Sequence, residues 1–238
     1  YIKKNIIKNL IHLYYYRFNK IICNSKYLGN YLKNKFGYDF FVIYPPSIIS
    51  NKKIIFKKKY NLPKIVQIST ICRLSKEKSI QKILYAINYL NINKNIKFNI
   101  IGDGPEKKFL KNLSKKFNLD KNVKFYGHQN NIEKFLLKTD LYINSSHFEG
   151  FPNSVAEAVN FGIPVICSQS HGGINEILMN GKAGTIFHSD YKNLANEIKK
   201  FLNNPDNFYK KAKIAKKNIS KFSLENHKIN FENLINKL

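Results

Sequence analysis

Two glutamates, Glu149 and Glu157, stand eight positions apart around a Gly-Phe-Pro turn. Carboxylates converging on one sugar-sized opening can grip hydroxyl groups through charge-assisted hydrogen bonds. The segment 147–162 (HFEGFPNSVAEAVNFG) follows an apolar run that ends at Asn144, and it reads as a turn opening a helix at Asn153 or Ser154 that stops at Gly162. The free amides of such a helix start suit an anion, and a phosphate would fit there. Ser154-x-x-Glu157 also fits a capping box, in which Glu157 satisfies a backbone donor instead of a ligand, and spacing leaves the two readings level. Glu149, just before a glycine at a strand's end, has no capping role.

A second group follows the apolar run 65–71. Arg73 and Lys78, in CRLSKEKS, leave a strand five residues apart and can bring two cations onto one diphosphate, or simply be solvated loop charges. Arginine occurs only at Arg17 and Arg73, so a position that keeps it amid so much lysine points to a need for a planar, forked donor. Residues 100–105 (IIGDGP) invite a dinucleotide reading, but Lys107 stands where the third glycine belongs and no acid ends a following strand about twenty positions on. Asp103-Gly104-Pro105 instead reads as a tight turn that lets a ligand approach the backbone. His171-Gly172-Gly173, with Glu176 in the first turn of the next helix, offers further amides to a ligand or serves as a plain loop-to-helix turn. The six histidines and three cysteines show no metal-ligand spacing and no nucleophile arrangement, so neither a metal nor a cofactor is expected.

The elements that must hold these residues alternate in type. Strands are expected at 65–71, 97–101, 123–126, 141–144, 164–167 and 185–187, with helical patterns between them, including 79–90 and 106–117. That alternation implies an α/β fold with a doubly wound parallel, Rossmann-like sheet, whose ligands bind at the carboxyl ends of the strands. The loops 72–78, 102–105, 127–131 and 145–153 should gather there. Residues 1–47 read as the tail of another α/β domain, with an amphipathic helix, a strand near 20–23, a helix over 25–36 and a strand at 40–44 halted by Pro45-Pro46. Residues 48–205 form the sheet domain, and 206–238 are lysine-rich helix, broken near 220–223, where Ser223-x-x-Asn226 marks a new start.

Composition narrows the class. A chain of 238 residues with 43% hydrophobic content can bury a core. No apolar run approaches the roughly 18 to 20 residues that span a bilayer, and the first residues lack the features of a signal peptide, so a cytoplasmic protein is expected. Cys23, Cys72 and Cys167 read as buried, reduced thiols. The net charge of +26 is almost entirely lysine spread through every segment, together with much Asn, Ile, Tyr and Phe. Residues with A/T-rich codons explain that pattern as well as a polyanionic partner does, and the solvated-surface reading is preferred over nucleic acid.

The order Arg73-x4-Lys78, Gly102-Asp103-Gly104-Pro105, Val123-x-Phe125-x-Gly127, Glu149-Gly-Phe-x4-Ala156-Glu157-Ala158, Gly162-x-Pro164-Val165 and Gly172-Gly173-x-x-Glu176 resembles the C-terminal domain of glycosyltransferase family 4, retaining transferases of the GT-B fold. The resemblance is close over 64–190 and looser over 20–46. It implies that Arg73 and Lys78 neutralise a leaving diphosphate, Glu157 holds ribose hydroxyls and Glu149 faces the transferred sugar. It further implies that Phe151, Pro152, Asn153 and Ser154 line the phosphate or sugar oxygens, with Gly102 and Gly127 at the nucleotide's edge. Cys72 replaces the family's usual glycine, and Tyr44-Pro45-Pro46-Ser47 replaces its usual Asn-Gly turn at the interdomain link. The donor would be a nucleotide sugar, with no metal, and the acceptor a saccharide or lipid-linked saccharide. The resemblance also implies that 1–47 is the end of an acceptor domain, the rest of which a separate polypeptide or an upstream part of the gene would supply, with the last helix packing back towards it. Competing readings are an inactive nucleotide-sugar-binding module and a basic nucleic-acid or membrane-surface protein, with residues 1–20 as a membrane helix.

Overall fold

The computed structural model describes residues 18, 20–37, 39–48, 56, 60–91, 96–188 and 190–237. The helix expected within 1–20 lies almost entirely outside them. The first elements are β1 (Ile21–Cys23), α1 (Lys26–Phe36) and β2 (Phe40–Val42), with β1 and β2 parallel and Ile21 opposite Phe40. Ser25 caps α1 by accepting from the Leu28 amide, and Gly37, left-handed at φ 78°, closes it.

Among the described residues, six parallel strands form the main sheet: β3 (Val66–Ile71), β4 (Ile96–Ile101), β5 (Val123–Gly127), β6 (Leu141–Asn144), β8 (Val165–Ser168) and β10 (Thr185–Phe187). Between them run α2 (Gln81–Leu90), α3 (Lys107–Lys116), the short α4 (Glu133–Leu136), α5 (Asn153–Asn160) and α6 (Ile174–Ile177). The order β10-β8-β6-β3-β4-β5 is that of the expected doubly wound sheet. Both faces are covered, as the side-chain alternation of the central strands requires. Leu141, Ile143 and Ile166 point to one core with Ile83, Leu84, Leu110 and Phe201, while Tyr142, Val165 and Cys167 point to another with Val155, Ala156 and Val159. The helix expected over 79–90 starts at Gln81, because Ser79 is left-handed (φ 49°) and ends a 3-10 turn, Lys76–Lys78.

The chain leaves β3 towards β5 on one side and returns through β6 on the other. The sheet's switch point therefore lies between β3 and β6, where an open α/β sheet presents its crevice. The two strands pair only at Ile68 with Leu141 and Ser69 with Tyr142. Beyond that pairing the buried Tyr142 hydroxyl takes the Ile71 amide at 3.2 Å and donates to the Ile71 carbonyl at 3.1 Å, meeting backbone groups that would otherwise lack a partner.

After β10 come α7 (Tyr191–Asn203), α8 (Asp206–Asn218), a 3-10 turn (Ile219–Phe222) and α9 (Leu224–Ile235). Ser223 caps α9 by accepting from the Asn226 amide at 3.1 Å. Ile48 bridges Ser223, and His227 Nδ1 donates to the Tyr44 carbonyl at 2.7 Å. No helix among the described residues is long and apolar enough to cross a membrane.

Candidate functional site

The loops that leave β3 and β6 meet over the switch-point crevice. Ser145 joins them directly: its hydroxyl donates to the carbonyls of Lys78 at 2.8 Å and Ser79 at 3.0 Å, and the His147 amide donates to the Glu77 carbonyl at 2.8 Å. The third loop is stitched to the first, with Leu74 N–H donating to Asp103 O at 2.9 Å and Glu106 N–H to Leu74 O at 2.9 Å. Gly102 (φ 135°) and Gly104 (φ 158°) are needed here because a Cβ would meet the carbonyls of Cys72 at 1.9 Å and Leu74 at 2.4 Å. The close approach at this turn is thus made by the protein's own backbone, where the sequence suggested a ligand. Gly127 (φ 71°) ends β5 and accepts the Gly102 amide at 2.8 Å.

Glu149 ends the two-residue strand β7 (Phe148–Glu149), which pairs in parallel with β9 (His171–Gly172). Elements this short carry no periodicity, and the sequence did not reveal them. Gly172 (φ 130°) lies so close to Glu149 that a Cβ would fall 1.4 Å from the Glu149 carbonyl oxygen. The Glu149 side chain is buried, and its Oε1 accepts from Lys78 Nζ at 2.7 Å, Ser146 Oγ at 2.7 Å and Asn144 Nδ2 at 3.2 Å. A buried carboxylate needs such donors, and a cation among them offsets its desolvation. Asn144 and Ser146 were missed in the sequence. Their only signal was a run of polar residues at the end of an otherwise apolar strand. Ser168 extends the same network by donating to the Ser146 carbonyl.

Glu157 sits in a different setting. The capping box read from the sequence does not form: Pro152 occupies the N-cap, so Ser154 is already inside α5 and Glu157 lies more than a turn further along. Its carboxylate is half-buried, has no hydrogen-bond or ion-pair partner among the described residues, and burial pushes its pKa up. Arg73 is exposed on the β3 loop, where the Ser75 hydroxyl first, then a backbone amide, and last the charges of Lys78 and Arg73 hold the Glu77 carboxyl below its usual range. Lys78, the second cation expected on a diphosphate, is occupied by Glu149. Phe151 and Pro152 are buried at the turn, Asn153 is exposed at the start of α5, and Ser154 is half-buried beside it. Cys72, in place of a glycine, is largely covered, and burial drives its thiol up to about 12.

The structure thus brings Lys78 and Glu149 into contact and sets Arg73, Gly102, Gly127 and the start of α5 on loops at one end of the sheet. A cavity of about 510 Å³ lies elsewhere, along the β10 edge, lined by Gln169, Asn175, Thr185, Glu197 and Lys211. It is open and rimmed by amide side chains, without a buried charged group, and the crevice is the better candidate on chemistry. No group of three or more His, Cys, Asp or Glu side chains among the described residues could hold a metal ion.

The chain is 30% identical to protein CapJ of Staphylococcus aureus over 148 residues, 61% of this chain and 37% of that one. It is 43% identical to an uncharacterized glycosyltransferase of Methanocaldococcus jannaschii over 84 residues, 35% of this chain and 21% of that one. Among solved structures, Anabaena HepE in complex with UDP-glucose superposes with a TM-score of 0.80 at 19% identity, covering 98% of this chain and 67% of that one. S. aureus TarM, in a complex containing UDP, gives 0.77 at 24% identity and covers 98% of this chain and 46% of that one. These likenesses establish the C-terminal half of a GT-B fold, and the chain spans less than half the length of the two curated relatives. The sequence pattern described as "Glycosyl transferases group 1" matches residues 51–222, most of the chain, and the chain belongs to that family.

Proposed function

We propose that this chain binds a UDP-linked sugar at the β3–β6 crevice and, as the donor half of a retaining glycosyltransferase, passes the sugar to a saccharide or lipid-linked acceptor. The observation that carries the reading is the ion pair of half-buried Lys78 with buried Glu149, 2.7 Å apart, at the switch point of the sheet. An ammonium has three protons, so Lys78 can keep one on Glu149 and turn the others to a diphosphate. The donors on Glu149 share Oε1, which leaves Oε2 to accept a hydroxyl of the transferred sugar. Arg73 supplies a forked second cation, and the α5 start supplies the amide of Ser154, since those of Asn153 and Val155 donate to the Phe151 and Pro152 carbonyls. Together they stabilise the negative charge that grows on the leaving diphosphate without a metal ion. Glu157, half-buried and without a partner among the described residues, has both lone pairs of each oxygen to offer the ribose hydroxyls. UDP is the favoured nucleotide because the neighbouring HepE and TarM structures contain it. Retention of configuration rests on the family pattern that these residues follow.

The acceptor half would come from the remainder of a two-domain protein or from a separate polypeptide, and the protein would act in the cytoplasm, with peripheral membrane contact where the acceptor is lipid-linked. The alternative is a module that binds the donor without transferring it. Calorimetric titration with UDP, GDP, ADP and their sugar conjugates separates these readings. Saturable UDP binding supports a donor site, and binding with neither hydrolysis nor transfer when the acceptor half is supplied favours the module. No binding of any of them at millimolar concentration refutes both.

A further inference from the structure

Tyr44 lies in the linker between the β1–β2 unit and the main sheet, yet its contacts reach the candidate site. Its ring packs at 5.8 Å from Phe151 and edge-on at 4.9 Å from Phe222, and Phe151 and Phe222 close the triangle at 5.0 Å. Its hydroxyl donates to Glu176 Oε2 at 2.5 Å, while Glu176 Oε1 accepts the Tyr27 amide at 3.2 Å, so one carboxylate ties α1 and the linker together. Three residues on, Ser47 donates to Asn153 Oδ1 at 2.8 Å. The turn 151–153 is therefore fastened to the linker at both ends. From the other side it is held by Gly173, whose amide donates to the Gly150 carbonyl at 3.1 Å and whose missing Cβ would sit 2.8 Å from Phe151.

We propose that Tyr44 is a positioning residue that transmits the orientation of the β1–β2 unit to the loop 149–157, with its ring bracing Phe151 and Glu176 holding that ring in place. This rests on the proposed donor site, since the loop it positions is the one that would hold the sugar nucleotide. Tyr44 touches no reacting atom. A movement of the β1–β2 unit pulls on Glu176 and Tyr44 together, and the aromatic triangle passes it to the turn before Asn153.

The test uses the whole chain and two readouts, one of which needs no ligand. Tyr44→Ala should speed amide hydrogen exchange over 149–157 by about tenfold or more while amides in Val66–Ile71 and Ile96–Ile101 keep their rates, because a lost aromatic brace loosens what it touches. UDP affinity should fall by about tenfold in the same variant, and Tyr44→Phe, which keeps the ring, should restore it to within about threefold. A double-mutant cycle of Tyr44→Phe with Glu176→Gln should be non-additive. If Tyr44→Ala does not fold, Tyr44→Leu serves in its place. Unchanged exchange over 149–157, or acceleration spread evenly through the sheet, overturns the proposal. If exchange responds locally but the wild type does not bind UDP, the positioning role stands and the donor-site reading falls.

Discussion

Glu149 and Glu157 border the same turn and are prepared in opposite ways. Glu149 is buried and anchored through Oε1, which takes a lysine, a serine and an asparagine, with Gly172 pressed against its backbone. Glu157 is half-buried with no partner among the described residues, and its pKa is raised because burial penalises its charge. A carboxylate satisfied by its own protein is pre-organised and stabilises the fold. One left desolvated and unpaired costs stability until something supplies donors to it.

Substitutions around the two residues should therefore differ in sign as well as in size. The largest effect is expected for Gly172→Ala, where both the positive φ and the collision with the Glu149 carbonyl oppose a side chain. A loss of about 3–5 kcal/mol in denaturant unfolding is expected, and a loss below about 1 kcal/mol would mean that the β7–β9 contact yields easily. Next comes Lys78→Met, which strands the Glu149 carboxylate in a buried site and should cost about 2–4 kcal/mol, with Glu149→Gln in the same chain recovering part of it. Arg73 has no side-chain hydrogen bond or ion pair among the described residues, and Arg73→Ala removes only a charge near the exposed Glu77. It should leave the unfolding midpoint unchanged and weaken UDP binding by about 1.5–3 kcal/mol, and equal UDP affinity in variant and wild type would remove Arg73 from the site.

The smallest effect has the opposite sign. Glu157→Gln should raise the melting temperature of the ligand-free protein while weakening UDP binding. The pH dependence follows from the raised pKa. The native state holds its proton longer than the unfolded chain, so the destabilisation is absent below the ordinary carboxylate pKa near 4.5 and complete once the pH exceeds the raised native value. The gain from Glu157→Gln should accordingly vanish in acid and persist at neutral pH. A variant less stable than wild type at neutral pH would show that Glu157 already has a stabilising partner.

The sheet could be read from the sequence because its strands are short β-branched runs that alternate faces, as in 65–71 and 164–167, and because glycines and prolines punctuate the loops. The site was legible in part. Arg73, Lys78 and Glu149 stood out by residue type, but that Lys78 would pair with Glu149 was not visible, since 71 positions separate them and only the parallel pairing of β3 with β6 brings them together. The capping box at Ser154 failed because the turn places the N-cap at Pro152, two positions before the serine that capping preference would choose. Glu176 read as an ordinary first-turn acid, and its bonds to Tyr27 and Tyr44 span 149 and 132 positions. Local pattern reports periodicity and turns. Partners chosen by chain topology leave no such trace.

The most direct test of a donor site at the switch point is a crystal structure of the chain with UDP bound. Our account expects the diphosphate within hydrogen-bond reach of Arg73 and Lys78, and the ribose hydroxyls on Glu157. UDP bound instead along the β10 edge, beside Gln169 and Lys211, with the crevice unoccupied, would contradict it.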